Sequence, residues 1–196
     1  MTPIGRHWLR GLFESMRDRG LMASTSQKRP LIFSVMLDDQ HNYGGGIQMV
    51  VSSLIMAPSK SQAEAAEQQA WLKEELGKAR ASGARHVVIF QHYPWFLEKP
   101  DEPDQYFNIP LERRGAYLEL LKGAGVSHVF AGHVHRNAQG RDGALEMVTS
   151  GPVGRPLGSD PSGIRVVIVR PEGLEHRYYG LGSIPNQIQL RPAPLR

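Results

Sequence analysis

The feature that most constrains this chain is one setting that occurs twice: a short apolar run ending on a histidine-bearing loop, with helix-patterned sequence between the two. The first run is Arg85 to Gln91, followed by His92-Tyr93-Pro94; the second is Val126 to Ala131, followed by Gly132-His133-Val134-His135-Arg136-Asn137. Leu111 to Lys122 carries the helical pattern between them. Strand, loop, helix, strand, loop is a β-α-β unit, which aligns its strands in parallel and brings both loops to one edge of the sheet. Pro94 has no backbone donor, so the first strand stops there and His92 sits at its C-terminal mouth. Gly132 lets the backbone turn ahead of His133 and His135, which project the same way while extended geometry persists. Three imidazoles are therefore expected to converge, and imidazole is the commonest side-chain ligand for divalent transition metals.

Composition narrows the chemistry. The chain has no cysteine, which excludes a disulfide scaffold and any thiolate zinc site and leaves His, Asp, Glu, Asn and water as ligands. A pI of about 9.5 suggests nucleic acid until the charge is located. Residues 1–30 hold six basic side chains against two acidic ones, an excess equal to the whole net charge of +4, so everything from Leu31 onward is neutral overall. With no interleaved aromatic pattern to stack bases, no nucleic-acid partner is expected. No apolar run approaches the length of a transmembrane helix and no signal-peptide pattern is present, so the expectation is a cytoplasmic protein without a membrane partner.

Along the chain, residues 1–30 read as a loosely ordered basic arm, with a short amphipathic helix in Met1 to Gly20. Leu31 to Leu37 reads as a strand. Asp39 and His41, two residues apart behind it, are either a second ligand pair or the leading edge of a hairpin that turns at Asn42 to Gly46 and returns as Ile47 to Leu54. Ser61-x-x-Glu64 is a capping box, and Ala65, Leu72, Leu76 and Ala79 continue a helix to Gly83. The continuous apolar centre of Arg85 to Gln91 predicts layers on both faces of its sheet. An acidic, proline-broken loop (Glu98, Asp101, Glu102, Asp104) follows His92. After Asn137 the pattern predicts a turn at Gln139 to Gly143, a strand over Leu145–Ser150, a Gly/Pro-rich loop from Gly151 to Gly163, and antiparallel strands Ile164–Val169 and Leu174–Tyr179 joined at Pro171-Glu172-Gly173. Residues 184–196 read as a disordered tail. His86 reads as a surface residue, and His128 and His176 as structural ones.

Taken together, His92, Gly132-His133-Val134-His135 and the segments Gln69-Ala70-Trp71-Leu72, Phe90-Gln91-His92-Tyr93-Pro94, Tyr106-Phe107-Asn108 and His176-Arg177-Tyr178-Tyr179 resemble the calcineurin-like metallophosphoesterases. Within that family they look like the C-terminal half of the calcineurin-like phosphoesterase domain-containing protein 1 branch, whose members are described as Ser/Thr protein phosphatases. The resemblance runs over about Gly45 to Gly180. It implies an α/β fold, α+β in part, that is a portion of a four-layer α/β/β/α sandwich, with residues 31–183 as a partial domain. It also implies a two-metal centre drawing on manganese, iron or zinc, with His92 and His133 on one ion, His135 on the other, and Arg136 and Asn137 as candidate neighbours of the substrate. Two cations roughly 3.5–4 Å apart can bind phosphate oxygens, neutralise charge in an in-line transition state and acidify a water into a nucleophile. The implied substrates are phosphomonoesters, including phosphoserine and phosphothreonine in proteins.

The family also carries an Asp-led first loop, a Gly-Asp-x-x-Asp loop that bridges the metals and a Gly-Asn-His-Asp/Glu loop that protonates the leaving group. Residues 1–90 contain neither of the last two. Neutral imidazoles cannot hold two dications without a carboxylate to offset their repulsion. The expectation is thus a chain that lacks the N-terminal half of the fold. It would be either the back half of a working phosphatase or a non-catalytic remnant or interaction module, self-associating through apolar surface the missing strands would cover.

Overall fold

The computed structural model describes residues 48–51, 62–81, 83–170 and 172–187. The amphipathic arm, Leu31 to Leu37, Asp39 and His41, the capping Ser61 and the tail beyond 187 lie outside the described residues. The elements run β1 (Gln48–Val51), α1 (Gln62–Ala81), β2 (Val87–Gln91), α2 (Leu111–Gly123), β3 (Val126–Ala131), β4 (Ala138–Asp142), β5 (Leu145–Thr149), β6 (Gly163–Arg170) and β7 (Gly173–Gly180), closing on a 3-10 turn at Leu181–Ser183. This is an α/β fold with parallel and antiparallel pairings. β1, β2, β3 and β5 are parallel neighbours in that order, and β4 adds antiparallel to β5 as the sheet's edge. β6 and β7 form a separate antiparallel pair.

The expected β-α-β unit is present: β2 and β3 pair in parallel with α2 between them in the chain. Alternation along the strands separates two apolar sets. Val87 and Ile89 of β2, Val129 and Ala131 of β3, and Leu145 and Met147 of β5 pack with Leu72, Leu76 and Ala79 of α1 and with Tyr117, Leu118 and Leu121 of α2. Val88, Phe90, Phe130 and Val148 face the other way and meet Val167 and Leu174 of the β6–β7 pair. Phe90 and Phe130 stack across neighbouring strands with centroids 5.5 Å apart. Covering on both faces explains why all five residues of β2 are buried and why its sequence is continuously apolar. Helices, five-stranded sheet and two-stranded sheet are thus successive layers.

One element differs from its sequence pattern. The predicted turn at Gln139 to Gly143 is instead strand β4, and the chain reverses only at Gly143, whose φ is +62°. The strand is an edge, so its outer side needs no apolar residues and reads as a turn. Its glycine has a packing reason: a Cβ on Gly140 would run into the backbone carbonyl of Glu98, with the Phe96 ring 2.9 Å away. No helix among the described residues is long and apolar enough to cross a membrane.

Candidate functional site

The two histidine loops leave β2 and β3 side by side. The Gly132 N–H donates to the carbonyl of His92 at 3.1 Å, tying one loop to the other. The Val134 N–H returns to the Gly132 carbonyl at 2.7 Å, closing a three-residue turn around His133. His133 has φ +64° and His135 φ +55°, both in the left-handed region that non-glycine side chains rarely adopt. Such backbone persists only where its surroundings enforce it, and it concentrates at functional sites. Val134, 1 % exposed, anchors the turn between the two histidines.

The imidazoles of His92 and His133 face each other, His92 Nε2 to His133 Nδ1, at 3.2 Å. One of the two must donate. Their remaining nitrogens are buried; His92 Nδ1 has no hydrogen-bond partner, while His133 also interacts with the backbone of Tyr106. Burial, and after it the charge of His135, lowers the pKa of His92; burial, and after it His92, lowers that of His133. Both rings are therefore held in the neutral, lone-pair-bearing form that ligates metals. His135 is exposed, and its Nδ1 lies 2.9 Å from the carbonyl of Arg155. A carbonyl only accepts, so Nδ1 carries the proton and Nε2 presents a lone pair. In a neutral pair joined in this way only the donor ring keeps a lone pair on its outer nitrogen, so a cation shared by both rings would take the place of the proton between the facing nitrogens, and His135 Nε2 offers a further lone pair.

An aromatic wall closes one side. The ring centroids of Tyr93, Tyr106 and Phe107 lie 3.7, 5.4 and 6.1 Å from that of His133, and the Arg136 guanidinium sits 5.8 Å from the Phe107 centroid. Tyr106 is 78 % exposed, yet its loop is rigidly built. The Glu102 carboxylate accepts from the backbone N–H groups of Leu97, Glu98 and Lys99 and from Asn108 Nδ2. Arg114, fully buried, donates to the carbonyls of Ile109, Pro100 and Glu102. Asn137 points inward: its Oδ1 accepts from the Gly151 N–H at 3.1 Å and from Arg165 at 2.7 Å.

A second group lies between the sheets. The ligand atoms of His128, Glu146 and His176 fall within 4.8 Å of one another, close enough to hold an ion. Their hydrogen bonds are already committed. Glu146 accepts from Gln139 at 2.5 Å, from His176 Nε2 at 2.9 Å and from Arg141, while His176 Nδ1 faces Arg165 at 2.9 Å. Burial lowers the pKa of His128 against the pull of Glu146. Glu146 and Arg165 escaped the sequence reading. The available signal was alternation: Glu146 is a charge between the buried Leu145 and Met147, on the strand face of Val148.

No protein-family model matches the chain. It is 42% identical over 151 residues to serine/threonine-protein phosphatase CPPED1 of Homo sapiens, 41% over 150 residues to that of Danio rerio and 39% over 150 residues to that of Bos taurus. Each alignment covers 75% of this chain and 48% of the relative, so the chain spans about half the length of the curated relatives it matches. Among solved structures, GAP50, the anchor in the inner membrane complex of Plasmodium, superposes with a TM-score of 0.52 at 15% identity, over 67% of this chain and 44% of that one. That likeness concerns the fold alone.

Proposed function

We propose that this chain, similar over three quarters of its length to the CPPED1 phosphatases, is a calcineurin-like phosphoesterase, and that His92, His133 and His135 are the imidazole part of its metal-dependent site. The observation that carries the reading is the half-buried, facing pair His92–His133, Nε2 to Nδ1 at 3.2 Å, at the mouth of two parallel strands. His92 and His133 would hold one cation and His135, through Nε2, a second, drawn from manganese, iron or zinc. When bound, such ions polarise a phosphoryl oxygen and make a water nucleophilic near neutral pH.

The chain's own residues contribute orientation and exclusion. The Val134 turn fixes the direction of His133, and the Arg155 carbonyl fixes the tautomer of His135. Tyr93 and Phe107 keep water from one side of His133. Arg136, exposed at the mouth, adds positive charge for a phosphate, and Asn137 holds the loop that carries it. The substrate class is a phosphomonoester, with phosphoserine and phosphothreonine in proteins as the physiological form suggested by the relatives' name. Carboxylates to complete the centre would come from residues beyond those described.

One observation favours a second reading, a non-catalytic remnant or interaction module. Among the described residues the group of three or more ligand-type side chains that crowds together is His128, Glu146 and His176, and no carboxylate joins the loop histidines in such a group. A p-nitrophenyl phosphate assay with added manganese separates the readings. Turnover that His133→Ala abolishes supports the phosphatase; no turnover with manganese, iron or zinc leaves the remnant.

A further inference from the structure

We infer that Arg165 is the positioning residue of the histidine loop: it takes its own orientation from a neutral His176 and passes it to Asn137 across the gap between the two sheets. The inference rests on the reading that this loop holds metal, and deepens it.

A guanidinium only donates. The Arg165 NH1 group lies 2.9 Å from His176 Nδ1, so that nitrogen must be an acceptor and the imidazole proton must sit on Nε2. Nε2 in turn lies 2.9 Å from Glu146 Oε1, which can only accept while ionised. The direction of every link is thereby determined: His176 donates to Glu146 and accepts from Arg165. The other end of the guanidinium, NH2, donates to Asn137 Oδ1 at 2.7 Å. Glu146 is 4 % exposed and is held in place by Gln139 and Arg141 of the edge strand, so the chain of contacts begins on a fixed point in β5.

The same tautomer argues against an ion at His128, Glu146 and His176. A cation there would need the lone pair of His176 Nε2, which moves the proton to Nδ1 and sets it against the guanidinium. The family of contacts is a strut instead.

The histidine loop needs such a strut. His133 and His135 are both left-handed, so restraint must come from outside the loop. At its start the Gly132 N–H is fixed by the His92 carbonyl. At its end the Asn137 N–H donates to Asp160 at 2.7 Å and the Asn137 side chain receives Arg165 and the Gly151 N–H. Arg165 is thus the link that carries the second sheet's position into the loop.

Histidine-selective 1H–15N spectra of the full, metal-free chain test this without reference to turnover. The expected result is His176 as the Nε2–H tautomer with a hydrogen-bonded Nδ1. In Arg165→Met, which keeps an unbranched side chain and removes the donors, the amide signals of residues 133–137 shift or broaden while those of α1 and α2 stay. The Mn²⁺ dissociation constant then rises about 10- to 100-fold, the range seen when an outer partner of a metal ligand is lost, and Arg165→Lys recovers part of it. An Nδ1–H or doubly protonated His176 overturns the inference, and so do unchanged loop signals in Arg165→Met. If that variant does not fold, the wild-type tautomer still decides. Failure of the wild type to bind Mn²⁺ would overturn the metal reading alone, because the tautomer and the loop signals are read without metal.

Discussion

At the scale of single residues, the left-handed backbone at His133 and His135 separates what the loop needs for stability from what it needs for chemistry. Glycine is the residue that relieves such a backbone, and histidine is the one that ligates. His135 is the cleaner probe because it is exposed. His135→Gly is expected to leave urea stability unchanged to within about 1 kcal/mol, relief of backbone strain offsetting loss of the Arg155 contact. The β-branched His135→Val should lower it by about 1–3 kcal/mol. Equal effects of the two substitutions would contradict the strain argument. A second residue-scale prediction concerns Gly140, where a Cβ meets backbone rather than a flexible side chain. Gly140→Ala should cost about 1–3 kcal/mol and lower the melting temperature, although the site is on an edge strand where small substitutions are usually tolerated.

At the scale of elements, the loop between β2 and α2 is organised by one carboxylate. Burial opposes the charge of Glu102, but the hydrogen bonds from Asn108 and from the N–H groups of Glu98, Leu97 and Lys99 outweigh it and lower its pKa from the ordinary 4.5. A carboxylate lowered in the folded state contributes stability that is fully present above 4.5 and is lost as pH falls through the lower folded value. Thermal unfolding should therefore show wild type above Glu102→Gln near neutral pH, with the gap closing as pH drops below 4.5. A gap that is constant with pH would contradict the assignment. The elements also divide by how far the sequence revealed them. β2, α2 and β3 were legible because a strand covered on both faces is continuously apolar and its companion helix is not, and the histidine loops were legible because they end those strands. β4 was not: Ala-Gln-Gly-Arg-Asp has the composition of a turn, and only the packing of Gly140 on Glu98 explains its role as an edge. Nor was the strut Glu146–His176–Arg165–Asn137 legible, since its members lie on β5, β7, β6 and a loop, and no local pattern relates them. In the turn at His133 the left-handed residue is the histidine and not its neighbour Gly132, so the sequence does not announce it.

At the scale of the whole molecule, the layers leave apolar side chains outward: Val153 is 60 % exposed, Leu157 47 % and Leu181 50 %. These lie on the loop before β6 and just after β7, where the strut also attaches. If this surface pairs copies of the chain, light scattering at rising concentration will show dimers that Leu157→Glu and Leu181→Glu reduce; a concentration-independent monomer would contradict self-association. Whether the facing histidines belong to a metal centre is decided by calorimetric titration of the full chain with Mn²⁺. A metal centre there will show binding that His92→Ala and His133→Ala each abolish or weaken severely, while His128→Ala, removed from the loops and engaged with Glu146, leaves it unchanged. Binding lost with His128 and retained without His133 would contradict it.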